Sequence, residues 1–188
     1  MQLIESPVLD PTFGYLICIG IALLFATAAW HKLRSLEAFI EVFAAYRVLP
    51  EGWGRRVAWL IPGLELAIAA ALPWEITRRS ALTAAMGLLI AYAAGVGLNL
   101  ARGRRELDCG CGTIGSRRSI AGWMVWRNLA LALLAAMAAL PWASRPLNGS
   151  DTLTIVGGLA AIAALYVAID QLLGEISPKS LRMSGRAL

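Results

Sequence analysis

The chain has 188 residues, enough for one ordinary domain, and it is 59% hydrophobic and 15% charged with a formal charge of +5. A soluble domain carries about 25% charged residues, so this composition argues against a globule built for water. The Lys and Arg lie in short gaps between long apolar blocks and form no aromatic-interleaved basic groove, which excludes nucleic acid as the partner and points to membrane orientation.

The N-terminal stretch "MQLIESPVLDP" contains Glu5 and Asp10 and no Lys or Arg. A secretory leader would begin with positive charge, so the first apolar run is expected to be a retained span. Five segments have the length to cross a bilayer, near 13–30, 57–73, 81–100, 120–140 and 153–173. In lipid the backbone must satisfy its own polar groups, so the segments are expected to be helices. Between the first two, Leu33, Leu36, Phe39, Ile40, Phe43 and Tyr46 recur at helical spacing, with Arg34, Glu37, Glu41 and Arg47 mainly on the other face. This reads as an amphipathic helix over 33–49, lying in the membrane interface or docking a partner. The expected architecture is all-α: a polytopic bundle of about five transmembrane helices, a four-helix core plus one, forming a single domain over 1–188.

Charge predicts the orientation. If all five segments span, one side holds only Arg78, Arg79 and Arg145, against thirteen Lys and Arg on the other, with Arg127 inside a span. The positive side stays in the cytoplasm. The N-terminus is then outside, and the C-terminus and the third gap face the cytoplasm.

That third gap carries "ELDCGCGTIG", with Cys109 and Cys111 one residue apart. A disulfide at this spacing would close a very small ring, against a preferred Cα separation of about 4.4–6.8 Å. Glycine eases the backbone adjustment, and strained disulfides are the more labile and oxidising ones. Arg104, Arg105, Arg117 and Arg118 flank the turn and favour thiolate, while Asp108 opposes it. The pair therefore suits reversible redox exchange. A metal site lacks the usual four ligands, since the only histidine is the remote His31. A structural pair remains the third reading. Cys18, inside the first span, reads as a small hydrophobe or as a further thiol on an electron route.

Charges inside spans need a reason, because each costs roughly 2.5–3.5 kcal/mol on insertion scales. Glu65 lies about 12 Å into the second segment and Arg127 about 10 Å into the fourth, by helical rise. Similar depth and opposite sign predict that they pair, either to fix the bundle or to line a polar pocket beneath the cysteines. Asn128 lies beside Arg127, and Asp170 and Asn99 approach the same face from the ends of the fifth and third segments.

These residues sit in stretches that resemble a known family: "HKLRSLEAF" with "YRVLP", "PGLELA" around Glu65, "NLARGRRELDCGCG" after the third span, and "WRNLALA" at Arg127–Asn128. Together they resemble the methylamine utilisation protein MauE family, within the wider MauE/DoxX group of redox-associated membrane proteins. The resemblance covers the chain to about Ala135, and Cys-Gly-Cys-Gly is its most specific element. Thr113 and Ile114 depart from it, where family members often carry phenylalanine.

The resemblance implies a multi-pass bacterial inner-membrane protein. It would work with a thioredoxin-like, MauD-like partner in maturing the disulfide-rich small subunit of exported methylamine dehydrogenase. Cys109 and Cys111 would be the redox pair, with Lys32, Arg34, Tyr46, Glu65, Asn99, Arg102, Arg127 and Asn128 as matching polar positions. Disulfides mature outside the cytoplasm, whereas charge puts the pair inside. The protein would then carry electrons across the membrane, or its loop would dip into the bundle, or the pair would meet quinone or a periplasmic partner directly. Quinone is the one cofactor this reading admits. A thiol–disulfide oxidoreductase or electron conduit is the leading function. The alternatives are a non-enzymatic scaffold that docks a partner, and a solute transporter, against which no repeated pair of broken spans is present.

Overall fold

The computed structural model describes residues 8–48, 50, 53–104, 106–107 and 120–175, with side chains at 166 and 169–175 outside the description. Cys109 and Cys111 lie outside the described residues. Among those described there are six helices and no strand: α1 Pro11–Arg34, α2 Leu36–Ala45, α3 Trp53–Ala71, α4 Glu75–Ala101, α5 Gly122–Ala138 and α6 Gly149–Glu175. A helix stands at each of the six expected places. The chain forms two compact units, 1–144 and 145–188.

Local chemistry sets the ends. Asp10 caps α1 by accepting from Thr12 N at 2.9 Å, with Pro11 in the first turn, where its missing N–H is not needed. In the second unit Asn148 and Asp151 cap α6 reciprocally: Asp151 N donates to Asn148 Oδ1 and Asn148 N to Asp151 Oδ2. Arg145 clamps the same carboxylate through two nitrogens, at 2.7 and 3.0 Å. Helix α4 ends at Gly103, whose φ of 73° suits glycine. There Gly103 N donates to Leu100 O and Arg104 N to Asn99 O, the paired bonds that close a helix and turn the chain.

In the first unit α4 packs most extensively on α5, and α1 on α3. The core runs between them through Ile21, Phe25, Ile68, Leu72, Leu82 and Leu89. Helix α2 passes from the end of α1 across the first turn of α3, where Arg55 bridges Glu37 at 3.0 Å, to the last turns of α4. It buries Ile40, half-buries Phe39, Phe43 and Tyr46, and exposes Glu37 and Glu41, the expected amphipathic division.

Helices α1 and α4 are long and apolar enough to cross a bilayer; α5 and Gly149–Leu165 of α6 are shorter apolar stretches. The outward faces are apolar too: Leu60, Leu133 and Leu153 are 69%, 63% and 75% exposed. Soluble monomers rarely expose apolar surface on this scale. Exposed Trp30, Trp53, Trp59, Trp123 and Trp126 lie near the helix ends at the α2 side and Trp74 near the opposite ends. This is where interfacial tryptophans sit. These features point to the membrane.

Candidate functional site

Three helices bring charge into the interior. Lys32, three residues from the end of α1, is 5% exposed, and Glu65, in the middle of α3, is fully buried. Lys32 Nζ bonds Glu65 Oε1 directly. Tyr92, on α4, donates its hydroxyl to the same oxygen at 2.6 Å and accepts from Lys32 at 3.2 Å. The ammonium also lies 5.0 Å from the Tyr92 ring centroid and 5.3 Å from that of Phe39 on α2. Aromatic faces and one carboxylate thus replace the water that Lys32 gives up. Glu65 Oε2 is buried with no hydrogen-bond partner among the described residues.

The predicted Glu65–Arg127 pair is therefore corrected. Arg127 lies with its guanidinium carbon 5.3 Å from the Trp123 ring, on its own helix, and its Nε is buried and unbonded among the described residues. Depth along a helix says nothing of direction around it. Helix α3 packs against α1, α2 and α4, whereas α5 packs against α4 and α1, so the two side chains serve different neighbours. Lys32, counted in a gap by sequence, belongs inside the bundle because α1 continues to Arg34. Arg34 is exposed, stacked on Trp30 at 5.0 Å, and apart from the buried network.

A second polar layer lies about 10 Å along α4 from Tyr92, seven residues on. Asn99 is fully buried there. Its Nδ2 donates to Tyr46 O at 3.1 Å and Gly95 O at 3.0 Å, and its Oδ1 accepts from Arg104 at 3.0 Å. Arg102 donates to Arg47 O at 3.3 Å. Arg47 has φ 47°, a left-handed conformation that costs a non-glycine residue about 1–2 kcal/mol. Bonds from α4 to the carbonyls of Tyr46 and Arg47 hold that turn. On α5, Asn128 turns back to its own helix, bonding Met124 O at 2.9 Å.

Beside this layer Ile120 N donates to Leu107 O at 3.0 Å. Val96, Ile120 and Met124 pack there, with Tyr46, Leu100 and Leu107 against them. The segment carrying Cys109 and Cys111 thus leaves and returns at one clasped point, next to Asn99 and Arg104. Cys18 is a free thiol, 2% exposed, in the apolar core of α1. His31 is exposed.

A family model described as "Methylamine utilisation protein MauE" matches residues 10–141. The chain belongs to the MauE family. Over 172 residues it is 37% identical to methylamine utilization protein MauE of Paracoccus denitrificans, covering 90% of this chain and 91% of that protein. It is 34% identical to the protein of that name from Methylophilus methylotrophus over 172 residues, 90% of each. The one from Paracoccus versutus is 36% identical over 181 residues, 94% and 97% of the two chains. No solved structure matches.

The part matched to MauE contains the whole Lys32–Glu65–Tyr92 network, the Asn99 layer and the cysteine segment, and it ends before α6. Sequence reasoning missed Tyr92. Its seven-residue spacing from Asn99 puts both on one face of α4, and that was the available signal. Asn99→Leu keeps the volume but strips the Tyr46 carbonyl and Arg104 of a partner. It is expected to cost about 1–3 kcal/mol, read by thermal unfolding in detergent, whereas Arg34→Gln, on the exposed surface, should leave the midpoint unchanged.

Proposed function

We propose that this MauE-family protein is an integral membrane thiol–disulfide redox protein that assists maturation of exported disulfide-containing proteins in methylamine utilisation. Cys109 and Cys111 are its exchanging pair. The exchange runs through a mixed disulfide with a thioredoxin-like, MauD-like partner: a thiolate of one protein attacks the disulfide of the other, and two electrons and two protons move per cycle. The observation that supports the reading is the Leu107–Ile120 clasp, which holds the two described ends of the cysteine segment together beside the Asn99 layer. Arg104, close before Leu107 in sequence, would favour thiolate. The unbonded Oε2 of Glu65, deeper in the same end of the unit, offers a proton acceptor shielded from lipid.

In this reading five helices span the inner membrane, with α2 in the interface, the N-terminus outside, and the cysteine segment and C-terminus towards the cytoplasm. Burial of Lys32 removes one charge from the cytoplasmic side and leaves the asymmetry intact.

The test is alkylation with a mass tag in intact cells. Cys109 and Cys111 are expected to shift between reduced and oxidised forms when the partner is deleted, and Cys109→Ser is expected to accumulate a mixed disulfide through Cys111. A pair that keeps one redox state in every background refutes the proposal. Membrane-impermeant labelling of Cys109 from each side tests the orientation, with protection from outside expected.

A further inference from the structure

At the end opposite the cysteine segment, α1 and α3 leave a groove of about 600 Å³ between them. It extends from Tyr15 and Pro73 at one end to Ala26 and Leu66 at the other, eleven residue steps along α1 and so about 16 Å of helix. Its walls are apolar almost throughout, and Ala22, Ala69 and Ala70 leave the space open where larger side chains would close it. A slot of this length between two helices takes a hydrocarbon chain and gives a polar solute nothing to bond.

The Tyr15 end has a different chemistry next to it. Arg78, in the first turn of α4, places its guanidinium carbon 5.0 Å from the Tyr15 ring and 4.0 Å from the Trp142 ring. Among the described residues no carboxylate pairs with Arg78, and its Nε, packed out of reach of solvent, has no hydrogen-bond partner. The helix end beside it is uncapped by any side chain, since Trp74 occupies the cap position. The dipole of α4 adds positive potential at the same place, and Glu75 in the same turn offsets part of it without pairing with Arg78. An unpaired cation fixed by two rings at the end of a hydrocarbon-sized slot is complementary to one kind of molecule: an amphiphile with an anionic head.

We propose that the α1–α3 groove is a binding site for an anionic phospholipid, one acyl chain lying between the helices and the phosphate accepting from Arg78. The site is independent of the thiols and stands whether or not the cysteine pair exchanges electrons. It requires that α1 and α3 lie in the bilayer.

The full chain, purified in an uncharged maltoside, would be given equal amounts of dioleoyl phosphatidylglycerol and dioleoyl phosphatidylcholine, and retained lipid read by native mass spectrometry. A basic residue near the membrane contributes about a fivefold preference for anionic lipid, so at least about fivefold excess retention of phosphatidylglycerol is expected. Arg78→Gln should erase the preference while both lipids still bind, and Arg78→Lys should keep it. Ala69→Phe, which fills the groove, should abolish retention of both in protein whose helical circular dichroism is unchanged. Equal retention of the two lipids by the parent chain overturns the proposal, as does a preference that survives Arg78→Gln. Retention undiminished by Ala69→Phe, or displacement of phosphatidylglycerol by ubiquinone at equal concentration, overturns it as well.

Discussion

Lys32→Met and Glu65→Leu, made singly, are each expected to destabilise the protein by about 3–5 kcal/mol. The double substitution should recover most of that loss. Each single change strands a charge that is 5% exposed or less, with lipid-facing helices around it in place of water. The double change removes both charges together and takes away the Glu65 acceptor of the Tyr92 hydroxyl. Thermal unfolding of the four proteins in detergent gives the coupling directly. The charge-reversed pair, Lys32→Glu with Glu65→Lys, should be far more stable than either reversal alone. Glu65→Arg with Arg127→Glu should show no such rescue, because Arg127 stacks on Trp123 and not on Glu65. Additive single effects at Lys32 and Glu65 would mean that the two do not meet.

The same variants bear on the redox reading. If Glu65 serves only to neutralise Lys32, the apolar double variant should exchange thiols as fast as the parent. If its Oε2 takes a proton released at the cysteine pair, the double variant should be stable yet slow. Stability and exchange then separate.

Where the helices lie was legible because lipid permits little else: long apolar runs between charged gaps become helices, and the periodic run from Leu36 to Phe43 forms α2, while Leu33 and Arg34 at its expected start belong to α1. The faces that meet were not legible. Glu65 and Arg127 have matching depth, but only packing reveals that α4 and α1 are the neighbours of α5. Lys32 looked like a gap residue because its flanks, His31 and Arg34, are exposed and charged or polar. It is buried because it follows Phe25 and Ala29 on the inward face of α1, at spacings of four and three residues. The Asn99 layer was half legible. The asparagine stood out as a polar group in an apolar helix, but its partner, the Tyr46 carbonyl, carries no side-chain signature.

Nothing in the sequence marks Gly14, yet the structure leaves no room there for a Cβ. A Cβ added there would fall 2.5 Å from Trp142 Cε2 and 2.6 Å from Cζ2. That indole is held on every side. Its Nε1 donates to Ala138 O at 2.9 Å, and its ring meets Tyr15 edge-on at 5.0 Å and carries Arg78 at 4.0 Å. Its backbone is bridged to Leu9 through Leu9 N to Pro141 O and Ala143 N to Leu9 O. Two effects of Gly14→Ala therefore compete. Alanine favours the helix by about 1 kcal/mol, while overpacking a fixed ring costs about 1–3 kcal/mol. The second should win, so Gly14→Ala is expected to lower the unfolding midpoint of the parent protein. In a Trp142→Ala background the ring is gone and only the helix preference remains. There the same substitution should raise the midpoint, by up to about 1 kcal/mol in stability. The reversal of sign is the diagnostic result, since a glycine kept merely for helix flexibility would respond identically in both backgrounds. Because the displaced ring is the one beneath Arg78, Gly14→Ala should also weaken the lipid-head preference that Arg78 confers.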